Sequence, residues 1–212
     1  MLMKPLKILI ACEESQMVAT AFRSRGYFAF SNDINPCYGG HPDYHIIGDA
    51  AEVVKGNNKF VTEDGTQVLI EGAWDLIIAH PPCTYLTHCG AQHLHSGKHT
   101  IEQVKHAASF FMQMLNAPCK HIAVENPAPM KIAGLPKYTQ IVQPYEFGEP
   151  YSKRVCLWLK NLPPLFPVYG YCTEHKQWLK HCNSTARRRS KTFQCIADTM
   201  AESWGSWLLK YS

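Results

Sequence analysis

Short apolar runs and helix-period stripes alternate along the first half of the chain. That alternation predicts a mostly parallel sheet with helices on both faces. Lys7–Ala11 is the first apolar run. Cys12-Glu13-Glu14-Ser15 follows as a turn, and Ser15 is placed to cap a helix. Val18, Ala19 and Phe22 recur at helical spacing, and Gly26 closes that helix. Residues 28–31 form a second strand, ending in Asn32-Asp33, and His45–Ile47 a third, ending in Gly48-Asp49. Residues 56–71 break the rhythm. Lys59-Phe60-Val61 and Gln67-Val68-Leu69 flank Asp64-Gly65, a hairpin signal, so 57–71 is expected to be a hairpin inserted at the surface.

Leu76–Ala79 is apolar throughout, as in a strand buried on both faces, and His80-Pro81-Pro82 stops it by removing two backbone donors. Residues 85–99 are rich in histidine and glycine without clear periodicity, which predicts a mobile loop. Thr100 and Gln103 form a capping box, and Val104, Ala107, Ala108, Phe111, Met114 and Leu115 make a core-facing stripe. Residues 121–124 are the next strand, followed by Glu125-Asn126-Pro127, and 141–147 and 155–159 are later strands. The turn between those two carries Lys153-Arg154. Ile196, Ala197, Met200, Trp204, Trp207 and Leu208 predict a C-terminal amphipathic helix. The expectation is one α/β domain, 1–212, of seven or so strands.

Composition narrows this picture. Apolar residues make up 46% of 212, enough for a substantial core. No apolar stretch approaches a membrane span, and the N-terminus lacks a small-residue cleavage site, so no membrane partner and a cytoplasmic location are expected. Nine cysteines, an odd number without a small-scaffold rhythm, favour free thiols in a reducing compartment. A net charge of +4 is too mild to prove a nucleic-acid partner, but Arg187-Arg188-Arg189-Ser190-Lys191 is a local basic run suited to phosphates.

The candidate chemistry gathers at strand ends. Cys83 stands just past the 76–79 strand, at the edge where open α/β sheets bind ligands. A lone cysteine is more often a small buried hydrophobe, so the rest of the chain must decide its role. Asp33 ends the second strand, where an acid can accept hydrogen bonds from a ribose, and Asp49 ends the third. Asp33 could equally, with Asn35, serve only a turn before Pro36. Two such acids at successive strand ends favour a nucleoside cofactor. Cys172, His175, His181 and Cys182 include zinc-ligand types, yet adjacent ligands are awkward for one tetrahedral ion and the histidine spacing in 85–99 matches no closed zinc pattern. No metal is therefore expected.

Pro81-Pro82-Cys83, then Glu125-Asn126, then Arg154-Val155, in that order, resemble the DNA cytosine-C5 methyltransferases, and the chain is similar to compact, phage-type members. The resemblance spans most of 7–209 and is strongest at Cys83 and Glu125. It implies a Rossmann-like sheet and S-adenosylmethionine as methyl donor. It also implies catalytic roles for Cys83, Glu125 and Arg154, and cofactor contacts from Cys12, Glu13, Glu14, Ser15, Asp33, Ile34, Asp49 and Pro81. The implied partner is double-stranded DNA with the target cytosine flipped out. Thr84, His88, Gln92, Lys98, Lys153, Arg187, Arg188, Arg189 and Lys191 are its candidate contacts. In this scheme Glu125 needs a raised pKa to share a proton with the base.

Three features depart from that family. The turn 12–16 has no glycine where the family has a glycine-rich loop, so its side chains and the following helix N-terminus are expected to hold the methionine end. Ser152 stands in place of the first of two arginines. The recognition region is reduced to about 161–191, which implies weak sequence specificity, or a homodimer in which a second subunit completes the surface. Four other readings stay open: an amino-methyltransferase, the same fold acting on RNA or a free nucleotide, a catalytically silent nucleic-acid-binding or regulatory protein, and a hydrolase pairing His80 with Cys83.

Overall fold

The computed structural model describes residues 6–87, 94, 96–167, 170–178 and 189–211. In chain order the elements are β1 (Lys7–Ala11), α1 (Met17–Arg23), β2 (Phe28–Asp33), β3 (His45–Ile47), α2 (Ala50–Val53), β4 (Asn58–Val61), β5 (Gln67–Ile70), β6 (Leu76–Ala79), α3 (Ile101–Leu115), β7 (Ile122–Asn126), β8 (Gln140–Val142), β9 (Tyr151–Ser152), β10 (Val155–Lys160), β11 (Lys176–Gln177) and α4 (Gln194–Tyr211). Among the described residues, no helix is long and apolar enough to cross a membrane.

The central sheet has seven strands in the order β3-β2-β1-β6-β7-β10-β8. The first five run parallel, and β10 enters antiparallel to both β7 and β8. The order turns outward in both directions from β1 and β6, making the switch point at which doubly wound sheets open a crevice beyond their carboxyl ends. The fold is thus a Rossmann-like, mostly parallel α/β sheet.

Strand alternation divides the core into two layers. Leu9, Phe30, Ile77, Ile122, Val124 and Trp158 face one side, where Phe111 and Met114 of α3 and Val53 of α2 pack. Ile8, Ile10, Ala29, Ile78, Ala123 and Leu157 face the other, against Val18 and Phe22 of α1 and Ile196, Met200 and Trp204 of α4. Strands buried on both faces read as continuous apolar runs, which is why 7–11 and 76–79 show no polar alternation.

The β4–β5 hairpin is more than a surface flap. Phe60 and Ile70 enter the core, and Phe60 stacks on Trp74 with centroids 6.4 Å apart. Two local expectations fail. Ser15 is not the N-cap of α1: the helix starts after Gln16, which is left-handed (φ 57°), Ser15 Oγ accepts only a long 3.5 Å bond from Met17 N, and the carboxylate of Glu13 takes the next two amides. The strand expected over 141–147 stops at Val142, because Pro144 has no amide to continue the ladder and opens a 3-10 turn, Pro144–Phe147.

Candidate active site

The carboxyl ends of β6 and β7 lie side by side, with Ala79 paired to Val124. One residue further, His80 and Glu125 project to the same face, and His80 Nδ1 meets Glu125 Oε2 at 2.7 Å. Both side chains are about nine-tenths buried, at 11% and 10% exposure. β10 runs back beside β7 with Cys156 opposite Asn126, so Arg154 enters at this same edge. Three neighbouring strand ends therefore deliver Cys83, Glu125 and Arg154 to one rim.

The Pro81-Pro82-Cys83 turn is clamped rather than loose. Asn126 Nδ2 donates to the Pro81 carbonyl at 2.7 Å, Met130 N donates to Leu86 O at 2.7 Å, and Thr87 bridges Pro129. The Cys83 carbonyl accepts from Leu86 N and Thr87 N, at 3.0 and 3.2 Å. Pro81 is buried, whereas Cys83 and Thr84 are exposed, so the strand is fixed and its thiol faces outward. Arg154 is also exposed; its Nη2 donates to the Tyr138 hydroxyl at 2.9 Å.

The electrostatics correct one expectation. Burial pushes the Glu125 carboxyl up, but the His80 hydrogen bond and charge, then Lys153 and the Thr192 hydroxyl, outweigh it and hold Glu125 below the ordinary carboxylate value. Burial pulls His80 down, and the hydrogen bond and charge of Glu125 with the charge of Glu13 outweigh that and raise it. Glu125 is thus not a solitary protonated acid: the proton resides on a matched pair. His80 Nε2, also buried, has no hydrogen-bond partner among the described residues.

The cofactor-side half is built differently. Glu13 is buried, and its carboxylate accepts from Val18 N at 2.7 Å and Ala19 N at 3.2 Å. It therefore occupies the α1 N-terminus that was expected to hold the methionine carboxylate. Gln16 is buried too, bonded to Ser31 Oγ and to the backbone of His41. The loop 35–41 lies against this turn so closely that a Cβ on Gly39 would sit 2.5 Å from Gln16 Cβ and 2.6 Å from the Ser15 carbonyl. Glu63, beyond β4, holds Cys37 N at 2.9 Å. Hairpin, loop and turn form one continuous support.

Along that edge acidic side chains cluster. Cys12 is left-handed (φ 59°), and its thiol is pushed far up by burial and by the fields of Asp33 and Asp49. Asp33, half-buried, is raised by burial and by nearby Glu14, although it accepts from Asn35 N at 3.0 Å. Asp49 is exposed and caps α2 through Ala51 N at 2.9 Å; Ile34 beside Asp33 is 73% exposed.

Basic residues gather on the opposite rim. Lys153 Nζ donates to the Arg189 carbonyl at 3.1 Å, and Arg189 and Lys191 lead into Thr192, whose hydroxyl bonds Glu125. Lys98 is exposed on the segment before α3. His88, Gln92, Arg187 and Arg188 lie outside the described residues, as do His181 and Cys182. His175 stacks on Tyr145 at 3.9 Å, and no metal-holding group of His, Cys, Asp or Glu occurs among the described residues.

The His80–Glu125 contact went unread in the sequence, where His80 figured only as a base for Cys83. The signal was available: two parallel strands each end in a polar residue one position past aligned alanine and valine.

No family model and no curated protein matches the chain. Among solved structures it is similar to a candidate DNA modification methyltransferase encoded within an E. coli prophage (12% identity, TM-score 0.43), covering 73% of this chain and 46% of that one. It is also similar to the Entamoeba histolytica methyltransferase EhMeth (14% identity, TM-score 0.39), covering 87% and 62%. The chain spans less than two thirds of the length of either protein.

Proposed function

We propose that this protein transfers a methyl group from S-adenosylmethionine to C5 of cytosine in DNA, with Cys83 as a transient covalent nucleophile. The observation that carries the reading is the convergence of an exposed, clamped Cys83, a buried Glu125 and Arg154 at three neighbouring strand ends. The acid-lined edge at Glu13, Glu14, Asp33 and Asp49 suits a cationic ligand, and a sulfonium cofactor with an ammonium group is one. When bound, that cofactor supplies an electrophilic methyl group.

The residues divide the work. Addition of the Cys83 thiolate to C6 gives C5 enamine character, so the otherwise electron-poor ring can attack the methyl. Arg154, turned from Tyr138, donates to the cytosine O2 and takes up developing negative charge. Glu125 faces N3 and the exocyclic amine. Loss of the C5 proton then lets the thiolate leave. Asn126 keeps the Pro81 carbonyl, and with it the Cys83 turn, in place. Asp33 and Ile34 hold the nucleoside, and Lys98, Lys153, Arg189 and Lys191 contact phosphates around a flipped base.

The test is product analysis. After incubation of DNA with labelled S-adenosylmethionine, digestion should yield labelled 5-methyldeoxycytidine. An N4-methyl product, or C5 labelling that survives Cys83→Ala, contradicts the reading.

A further inference from the structure

We infer that His80 is the proton-holding and positioning partner of Glu125: the proton that neutralises the base during thiolate addition is stored on the His80–Glu125 pair rather than on a lone carboxyl. The inference rests on the methyltransferase reading and adds a residue and a proton path to it.

Geometry carries the argument. The β6–β7 register brings the two side chains to one face, and the 2.7 Å bond uses Nδ1 of His80. A carboxylate in this position would otherwise be buried among α1, α4 and the sheet with a large desolvation penalty. The groups facing the pair from each packed element are Glu13 from the turn after β1, Lys153 from the turn before β10, and the Thr192 hydroxyl from the segment before α4. Glu13 supports a cation at His80, which Lys153 opposes more weakly, while Lys153 and Thr192 support an anion at Glu125. The surroundings thus favour imidazolium beside carboxylate. His80 Nε2 is buried and without a partner among the described residues, so the ring's second nitrogen is committed to no other group there.

The step balances as follows. The Cys83 sulfur forms a bond to C6, and the C5–C6 π electrons shift so that charge accumulates toward N3. The Nδ1 proton of His80 passes to the Glu125 carboxylate, which hands a proton on to N3 and is left as a carboxylate again. The N3–H bond forms, the Nδ1–H bond breaks, and His80 becomes neutral. After C5 has taken the methyl group of the donor, it gives up its proton to solvent water, the C5–C6 double bond re-forms as the C6–S bond breaks and the thiolate leaves, and N3 returns its proton through Glu125 to His80. The methyl donor and water are the only other reactants.

The experiment is the pH profile of single-turnover methylation for the wild type and His80→Asn, with the donor saturating. Asparagine keeps an N–H toward Glu125 but cannot ionise. In the wild type the rate should fall at alkaline pH as the pair loses its proton. In His80→Asn that limb should move to lower pH by about one unit or more, because the carboxyl must hold the proton itself. An unmoved limb in a folded variant overturns the role of His80 while leaving Cys83 chemistry intact. A wild type that never methylates cytosine at C5 overturns both. Should His80→Asn fail to fold, the His80 ring is titrated by NMR in wild type and Glu125→Gln. Its pKa should drop in the variant, and an unchanged value contradicts the shared proton.

Discussion

The two halves of the carboxyl edge bury acids in opposite ways. On the β6–β7 side, Glu125 is matched by an imidazole, a lysine and a hydroxyl, and its proton affinity is lowered. On the β1–β2–β3 side, Cys12, Glu13 and Asp33 are all raised: burial is the largest cause for each, joined by neighbouring carboxylates at Cys12 and Asp33, and at Glu13 it outweighs His80 and the hydrogen bonds from Val18, Ala19 and Ser15. Glu13 is the hinge between them: it neutralises the α1 N-terminus by taking two amides, and its field reaches His80. A balanced half suits proton transfer, whereas a half with excess negative charge suits a cation. Under the proposed function, the base would lie on the first side and the sulfonium donor on the second.

The largest expected effect is chemical. Cys83→Ala should lower C5 methylation on the order of 10⁴-fold or more, while leaving cofactor affinity and unfolding unchanged, since the side chain is exposed. Labelled-donor transfer and urea unfolding on one preparation check both halves of that statement.

Next is the balanced pair. Glu125→Ala leaves an uncompensated His80 and should destabilise the fold by about 3–5 kcal/mol, measured by urea unfolding at neutral pH. The pH dependence follows from the two shifts. Glu125 is held low, so its contribution is present above the ordinary carboxylate pKa and is lost as pH falls through the lowered value. His80 is held high, so its contribution is complete below its ordinary 6.5 and is lost as pH rises through the raised value. The stability gap between wild type and Glu125→Gln should therefore be widest between about pH 5 and 6.5 and shrink on both sides.

A smaller effect tests the acid-rich half. Gly39→Ala pushes the 35–41 loop off the Ser15–Gln16 turn and should cost about 1–3 kcal/mol. It should weaken donor binding, seen by calorimetry, without moving the pH profile of the His80–Glu125 pair. A Gly39→Ala protein with an altered pH profile would break the division between the halves.

Much of this was legible in the sequence. Lys7–Ala11, Leu76–Ala79 and the Thr100–Gln103 capping box are local signals, and local signals survive folding. Cys83 and Glu125 stand just past apolar runs that end abruptly and Arg154 just ahead of one, while the roles proposed for them came from the family resemblance. What could not be read depends on register and charge. The parallel alignment of β6 with β7 turns His80 from a neighbour of Cys83 into the partner of Glu125. Ser15 looked like the cap by residue type, but it keeps only a long bond to Met17 N, and Glu13 reaches further to take Val18 N and Ala19 N. The reach of the hairpin to Cys37 is likewise a long-range fact, set by the bridge of Ile46 to Thr62 and by Glu63.

The central claim is a thiolate addition to cytosine, and one measurement tests it most directly. DNA carrying 5-fluorocytosine is incubated with the protein and S-adenosylmethionine, and the intact complex is weighed by mass spectrometry. Fluorine cannot leave as a proton does, so the account predicts a stable methylated adduct mapped to Cys83 and absent from Cys83→Ala. Normal turnover on unmodified DNA with no adduct at Cys83 would contradict it.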